Sequence, residues 1–420
     1  MTVLIYNIAV ALYTLGIKIY ALFNAKAAKW IEGRKGWQDV VRHSLVPGEQ
    51  RIWVHCSSLG EFEQGKPVLE ALRTRYPKHS IVLTFFSPSG YEAYGKQTIA
   101  DHVFYLPADT KANAQKFITL VDPQLTIFVK YEFWYHYLHA LAQQRRVTLL
   151  ISATFRPGQA FFKWYGGFFR KMLGCFTRIF VQDAPSVTLL AKAGFADRVI
   201  LGGDTRYDRV AAIAASVQPV DAVTVFADGC KILVAGSTWP SDEAALQKFS
   251  RLMPKGWKLI IVPHEIHEAH ISKLKDQFIN DGILFSALKA DATGIDKRVL
   301  IVDNMGMLAR LYAYATLAYV GGGLDKGGVH NVLEPAAYGI PIVIGPVYQK
   351  YVEACEMVEA ALAVVVTDGA TLVDTLLKMV TADTDTTEFK ERLHEFMQRH
   401  MGSTDRIMIS VVQDLLPDSI

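Results

Sequence analysis

Apolar runs recur along most of this chain, and they are continuous rather than alternating. Strands buried on both faces read this way, which predicts parallel sheet. A first set falls at 51–55, 80–85, 125–130, 147–152, 178–182 and 199–201. The stretches between them, 62–76 and 184–194 among others, are long enough for crossover helices. An Ala-rich stretch at 210–220 interrupts the pattern. A second set follows at 231–235, 258–263, 282–285, 298–302, 316–320, 342–345 and 361–366, and the tail 386–420 reads as amphipathic helix. The expected fold is α/β: two doubly wound Rossmann-like domains, 36–210 and 211–420, the second carrying the C-terminal helices. No internal repeat or low-complexity tract is visible.

In open parallel sheets, ligands bind outside the carboxyl ends of the strands. The candidates are therefore Ser57, Ser58 and Glu61 after the first strand, then Tyr131 and Glu132, then Thr154 and Arg156. In the second half they are Gly236, Ser237 and Thr238, His264 and Glu265, and Asp303, Asn304 and Met305. Two such sets facing one another predict a cleft between domains. The richest segment is GGGLDKGGVHNVLE at 321–334, between an apolar strand and a short helix. A glycine loop leading into a helix aims backbone N–H groups at one point and suits a phosphate. On a helix begun near His330, Glu334 would share its face, and a carboxylate there can accept from both hydroxyls of a ribose. The alternative is a glycine-rich turn with a solvated Glu334.

The 420 residues carry a net charge of only +3, so nothing global calls for nucleic acid. Cys56, Cys175, Cys230 and Cys355 are scattered without metal-ligand spacing, which fits a reduced, cytoplasmic body. Hydrophobic residues make up 51% of the chain, and the mean hydropathy is +0.17. The N-terminus supplies part of this. Residues 1–17 are uncharged, Tyr6, Tyr13 and Tyr20 recur every seven residues, and Lys18, Lys26, Lys29, Arg34 and Lys35 follow. Without a small-residue cleavage site, residues 1–25 read as an uncleaved membrane anchor. It either spans the bilayer, which takes about 20 apolar residues, or lies in its interface. A core helix is the alternative.

Ser58-x-x-Glu61 is a capping-box pattern, and equally a placement for a general base acting on an acceptor hydroxyl. His264, His267 and His270 recur at a metal-like spacing of three, but no other cluster completes a zinc site. Asp383 and Asp385 form a D-x-D in the tail, away from any strand end. The segment FFKWYGGFFRK at 161–171 mixes aromatics and bases, with Arg156 nearby. It suits a membrane interface or a phosphorylated lipid; nucleic-acid stacking is the rival, and a core helix with basic ends the plain alternative.

With these residues in view, the chain resembles the 3-deoxy-D-manno-octulosonic acid (Kdo) transferases of lipopolysaccharide biosynthesis. The resemblance runs from the anchor and EGRK at 32–35 to the tail. It is carried by WVHCSSLGE at 53–61, KYEFW at 130–134, GDTR at 203–206, DNMG at 303–306 and the glycine loop through Pro335. It implies a GT-B, inverting, metal-independent glycosyltransferase with no cofactor. The donor is CMP-Kdo, the acceptor a lipid A precursor, and the place the cytoplasmic side of the inner membrane, among its lipids. By resemblance Glu61 is the catalytic base. Ser237, Thr238, His264, Met305, Gly306, Gly327, Gly328, Asn331 and Glu334 surround the donor, and Ser58, Glu132, Arg156 and Arg206 the acceptor. The chain departs from the family pattern at Pro263-His264-Glu265, where Pro-Arg-His is usual, at Tyr131-Glu132 for Thr-Glu, and at Asp204-Thr205-Arg206 for Asn-x-Lys. A sugar-nucleotide epimerase of the same fold and a non-catalytic lipid-binding protein are the rival readings.

Overall fold

A computed structural model describes residues 2–94, 99–288, 294–382 and 387–412; Asp383 and Asp385 lie outside the described residues. The chain forms two compact units, Met1–Asp208 with His400–Ile420, and Arg209–Arg399.

The sheet of the first unit comprises β1 (Arg51–Cys56), β2 (Ser80–Phe85), β3 (His102–Tyr105), β4 (Pro123–Val129), β5 (Val147–Ala153), β6 (Arg178–Val181) and β7 (Val199–Leu201). It is parallel throughout, in the order β3-β2-β1-β4-β5-β6-β7. Neighbours in sequence point to opposite faces of a strand. Trp53 accordingly enters a core with Phe117, Phe128 and Tyr137, while Val54 enters another with Phe62, Leu69 and Ile127. Strand β3 was absent from the expected set. It is a four-residue edge strand, half-buried at His102 and Val103, and so carries no continuous apolar run.

The second unit repeats the architecture with β8 (Lys231–Thr238), β9 (Trp257–Pro263), β10 (Gly282–Leu284), β11 (Val299–Ile301), β12 (Leu317–Val320), β13 (Ile342–Ile344) and β14 (Ala363–Val365). Their order is β10-β11-β9-β8-β12-β13-β14.

The tail behaves differently from its sequence reading. Gly402, at φ +86°, breaks it into Thr387–His400 and Ser403–Ser410. The second piece belongs to the first unit, where Ile407, Met408 and Val411 share a core with Val68, Leu69 and Leu72. Asp208 accepts from the N–H groups of Gly402 (2.7 Å) and Thr404 (2.6 Å), and Arg406 donates to the Gly202 carbonyl. Amphipathicity announces that such a helix needs a partner; it does not say which sheet provides one.

The N-terminal helix Thr2–Tyr20 is long and apolar enough to cross a membrane. One stripe of it, Tyr6, Val10, Thr14 and Ile17, is half-buried. Tyr6 donates its hydroxyl to Asp109 at 2.5 Å, His136 donates to Asn7 at 2.7 Å, and Tyr13 stacks on Phe86. Leu4, Ile5, Ile8, Leu12, Leu15 and Ile19 stay more than half exposed. Within the segment 161–171, Phe161 is buried and Phe162, Phe168 and Phe169 pack against the same core. Arg170 donates to the carbonyls of Phe161 and Lys163, so it holds this turn together instead of facing outward. Trp164 and Tyr165 alone among its aromatics project, Trp164 at 92% exposure.

Candidate functional site

In each sheet the strand order switches sides at the first strand laid down, between β1 and β4 and between β8 and β12. Ligands of doubly wound sheets bind at such points. Most of the expected residues sit at these two places.

In the first unit, β1 runs into the helix Leu59–Arg75, with Gly65 against the sheet. A Cβ on Gly65 would stand 3.0 Å from the Val129 side chain, so any side chain there would crowd β4. Ser58 is the N-cap residue, yet its side chain makes no capping bond. It donates to Glu61 at 2.6 Å instead. The reciprocal capping box is therefore not formed, and Glu61 remains half-exposed at the switch point. Glu132, after β4, is 5% exposed. Its carboxylate accepts from His55 (3.1 Å), Trp134 (2.5 Å) and the Ser57 hydroxyl. Burial pushes its pKa up, but these hydrogen bonds outweigh burial and hold it below the usual glutamate range. His55 is anchored in turn on Thr84. Glu132 thus braces the loop after β1 from behind. Arg156 follows β5, exposed, and Arg206 follows β7, clamped on the Asp204 carboxylate at 2.6–2.9 Å.

In the second unit, Gly236 has no room for a side chain, since a Cβ would meet the Tyr312 hydroxyl at 2.2 Å. Ser237 takes a left-handed φ of +53°. Thr238 is buried and donates to Glu243 at 3.1 Å, and Glu243 also receives His270 at 2.8 Å. The Thr238 hydroxyl therefore serves the fold. Burial lowers the pKa of His270, but the Glu243 carboxylate outweighs it and the net direction is up. Asp242 ties the end of β8 to the glycine loop, accepting from the N–H groups of Trp239 (2.9 Å) and Gly322 (3.0 Å) and from the Tyr319 hydroxyl. Trp239, His264 and His330 gather their rings in one cluster, 4.1–6.4 Å between centroids.

The helix after the loop is one turn, Leu333–Ala336. His330 lies before it, its N–H bonded to Gly321, so His330 and Glu334 do not share a helix face as expected. The backbone of His330 zips the loop shut where the expected helix would have begun. Asn331 takes over the orienting role. Its amide donates to Glu334 at 3.1 Å while its carbonyl oxygen caps Leu333. Gly328, at φ +91°, lies under Tyr351, and Gly327 is open. After β11, Met305 is 77% exposed and Gly306 takes φ +83°. The three spaced histidines go separate ways: His264 to the ring cluster, His270 to Glu243, and His267 to Glu265 at 3.4 Å. Asp242, Glu243 and Trp239 escaped the sequence reading as site residues. Their signal, polar residues in the first turn after a strand, is shared with ordinary helix caps.

Residues 31–209 match the family described as 3-deoxy-D-manno-octulosonic-acid transferase (kdotransferase). The 3-deoxy-D-manno-octulosonic acid transferase of Haemophilus influenzae is 27% identical over 379 residues, 87% of each chain. That of Aquifex aeolicus is 28% identical over 328 residues, 76% of this chain and 82% of the relative. Among solved structures, UDP-GlcNAc 2-epimerase from Neisseria meningitidis, bound to UDP-GlcNAc, superposes with a TM-score of 0.60 over 86% of this chain and 99% of its own, at 12% identity. That likeness speaks for the fold alone, whereas the sequence relatives speak for the reaction. The chain is similar to the Kdo transferases over most of its length and is a glycosyltransferase built from two Rossmann-like halves.

Proposed function

We propose that this enzyme transfers Kdo from CMP-Kdo to the primary hydroxyl of the lipid A precursor lipid IVA, with inversion, at the cytoplasmic side of the inner membrane. The observation that carries the proposal is Glu61. It stands half-exposed at the switch point, oriented by the Ser58 hydroxyl and not consumed as a helix cap. A carboxylate so placed takes the proton of a weakly nucleophilic alcohol as it attacks. Glu132 contributes by holding the loop after β1, with Arg156 and Arg206 on the same edge of the sheet toward the acceptor's phosphates.

On the donor side, Glu334, aligned by Asn331, receives the ribose hydroxyls. Ser237, His264, Met305, Gly306, Gly327 and Gly328 surround the nucleotide. As the anomeric bond breaks, CMP gains negative charge, and backbone amides of the glycine loop are suited to receive it. This scheme requires no divalent ion. The N-terminal helix serves as an in-plane anchor. Its half-buried stripe stays on the first unit while its apolar outer face enters the interface.

The test uses the purified full-length protein with CMP-Kdo and a tetra-acylated lipid A precursor, with EDTA present. Lipid-linked Kdo and free CMP are the expected products. Epimerised UDP-GlcNAc in a parallel reaction, without lipid product, would replace the proposal with the epimerase reading. Lipid binding without turnover would leave a non-catalytic protein.

A further inference from the structure

One contact at the glycine loop lies outside the chemistry above. The Trp239 indole N–H donates to Nε2 of His330 at 3.0 Å. An indole nitrogen only donates, so Nε2 must be the unprotonated nitrogen and the ring proton of His330 sits on Nδ1. The ring is held from other sides as well. His264 stacks on it at 4.1 Å with 23° between planes, and a second positive ring there would meet that imidazole. The His330 N–H is fixed on the Gly321 carbonyl. A Cβ on Gly322 would stand 2.7 Å from His330 Cδ2, so the loop backbone lies directly against the ring. Burial, then the neighbouring His264, lowers the pKa of His330 to about 4. Among the described residues, Nδ1 has no partner of its own.

We infer that Trp239 is a positioning residue of the donor site: it locks His330 as a neutral Nδ1–H tautomer that donates to a phosphate oxygen of the bound nucleotide. The assignment to phosphate presupposes that the glycine loop holds the nucleotide. A neutral donor has a specific use here. It makes no strong ion pair with the intact sugar nucleotide, and its hydrogen bond strengthens as charge builds on the departing phosphate. His264 completes the support by stacking on both rings.

Ring-15N NMR of the full-length protein in detergent micelles reads the tautomer directly, with the His330 signals identified by their loss in His330→Gln. The expected wild-type state at neutral pH is Nδ1 protonated and Nε2 bare, with the Nδ1 signal moving when CMP is added. Trp239→Phe keeps a ring on His264 but removes the N–H, and should release His330 to the Nε2–H tautomer. By calorimetry that variant should bind CMP about threefold to tenfold more weakly, the size of one lost hydrogen bond, while cytidine, which has no phosphate, binds as before. A protonated Nε2 in the wild type, an unchanged tautomer in Trp239→Phe, or equal weakening for CMP and cytidine would overturn the inference. A wild-type protein with the expected tautomer but no affinity for CMP would instead overturn the nucleotide reading of the loop, and the phosphate assignment with it.

Discussion

Glu61 and Glu132 are two carboxylates at one switch point, and their surroundings divide them. Glu132 is enclosed and receives three protein donors, while Glu61 receives one hydroxyl and faces outward. Glu61→Gln keeps the shape and removes the basicity. Turnover should fall by about 10²–10⁴, the usual scale for general acid–base work, with CMP affinity unchanged. Near-normal turnover in single-turnover assays would make Glu61 a structural residue. The sequence shows the spacing Ser58-x-x-Glu61 but not which way it is used, since a cap and an oriented base share one pattern. The rotamer of Ser58 settles the geometry. For Glu132, the strand-end position is legible. Its partners are not, because His55 lies on β1 and only strand pairing brings it close.

At the scale of elements, the N-terminal helix is legible by length and apolarity, whereas its seat is not. The Tyr6 hydroxyl lands on Asp109, a residue 103 positions away. Burial raises the pKa of Asp109, hydrogen bonds from Tyr6, His136 and Tyr137 pull it back, and the net value is about 6 against an ordinary 3.8. The folded protein therefore binds this proton more tightly than the unfolded chain between about pH 4 and 6. The contribution of Asp109 to stability falls as pH rises through that window and stays lost above it. Asp109→Asn lacks this titration. The difference in unfolding free energy, wild type minus variant, should decrease from pH 4 to 6 and level off above 7, as measured by urea unfolding in micelles. A constant difference would mean that Asp109 is not enclosed beneath the helix. The aromatic segment 161–171 carries a similar lesson. Composition shows aromatics and bases together, but Arg170 closes a turn because two carbonyls lie within its reach.

For the whole molecule, the parallel sheets were readable because strands covered on both faces leave unbroken apolar runs. The edge strand β3 and the home of the tail were not, since each depends on which surface offers a partner. Ile407 makes the second point measurable. It is 1% exposed in the core beneath the helix Leu59–Arg75. Ile407→Ala should cost about 2–5 kcal/mol, the range for such truncations in a packed core. The loss should appear in the unfolding of the first unit, followed by Trp53 fluorescence, although the substitution lies near the C-terminal end. A variant as stable as the wild type would mean that the tail only rests on the surface.

That return of the chain sets an order on biosynthesis. A ribosome must emit all of Arg209–Arg399 before it reaches Ser403. The second unit is contiguous and can close as soon as it emerges. The first unit emerges earlier, with its apolar N-terminal helix already able to meet lipid, yet it waits for its last piece with the Leu69 and Leu72 side of its core uncovered. Nascent chains of this enzyme therefore pass through a stage in which one half is finished and the older half is still open, and that is the stage at which a chaperone or a protease would find it.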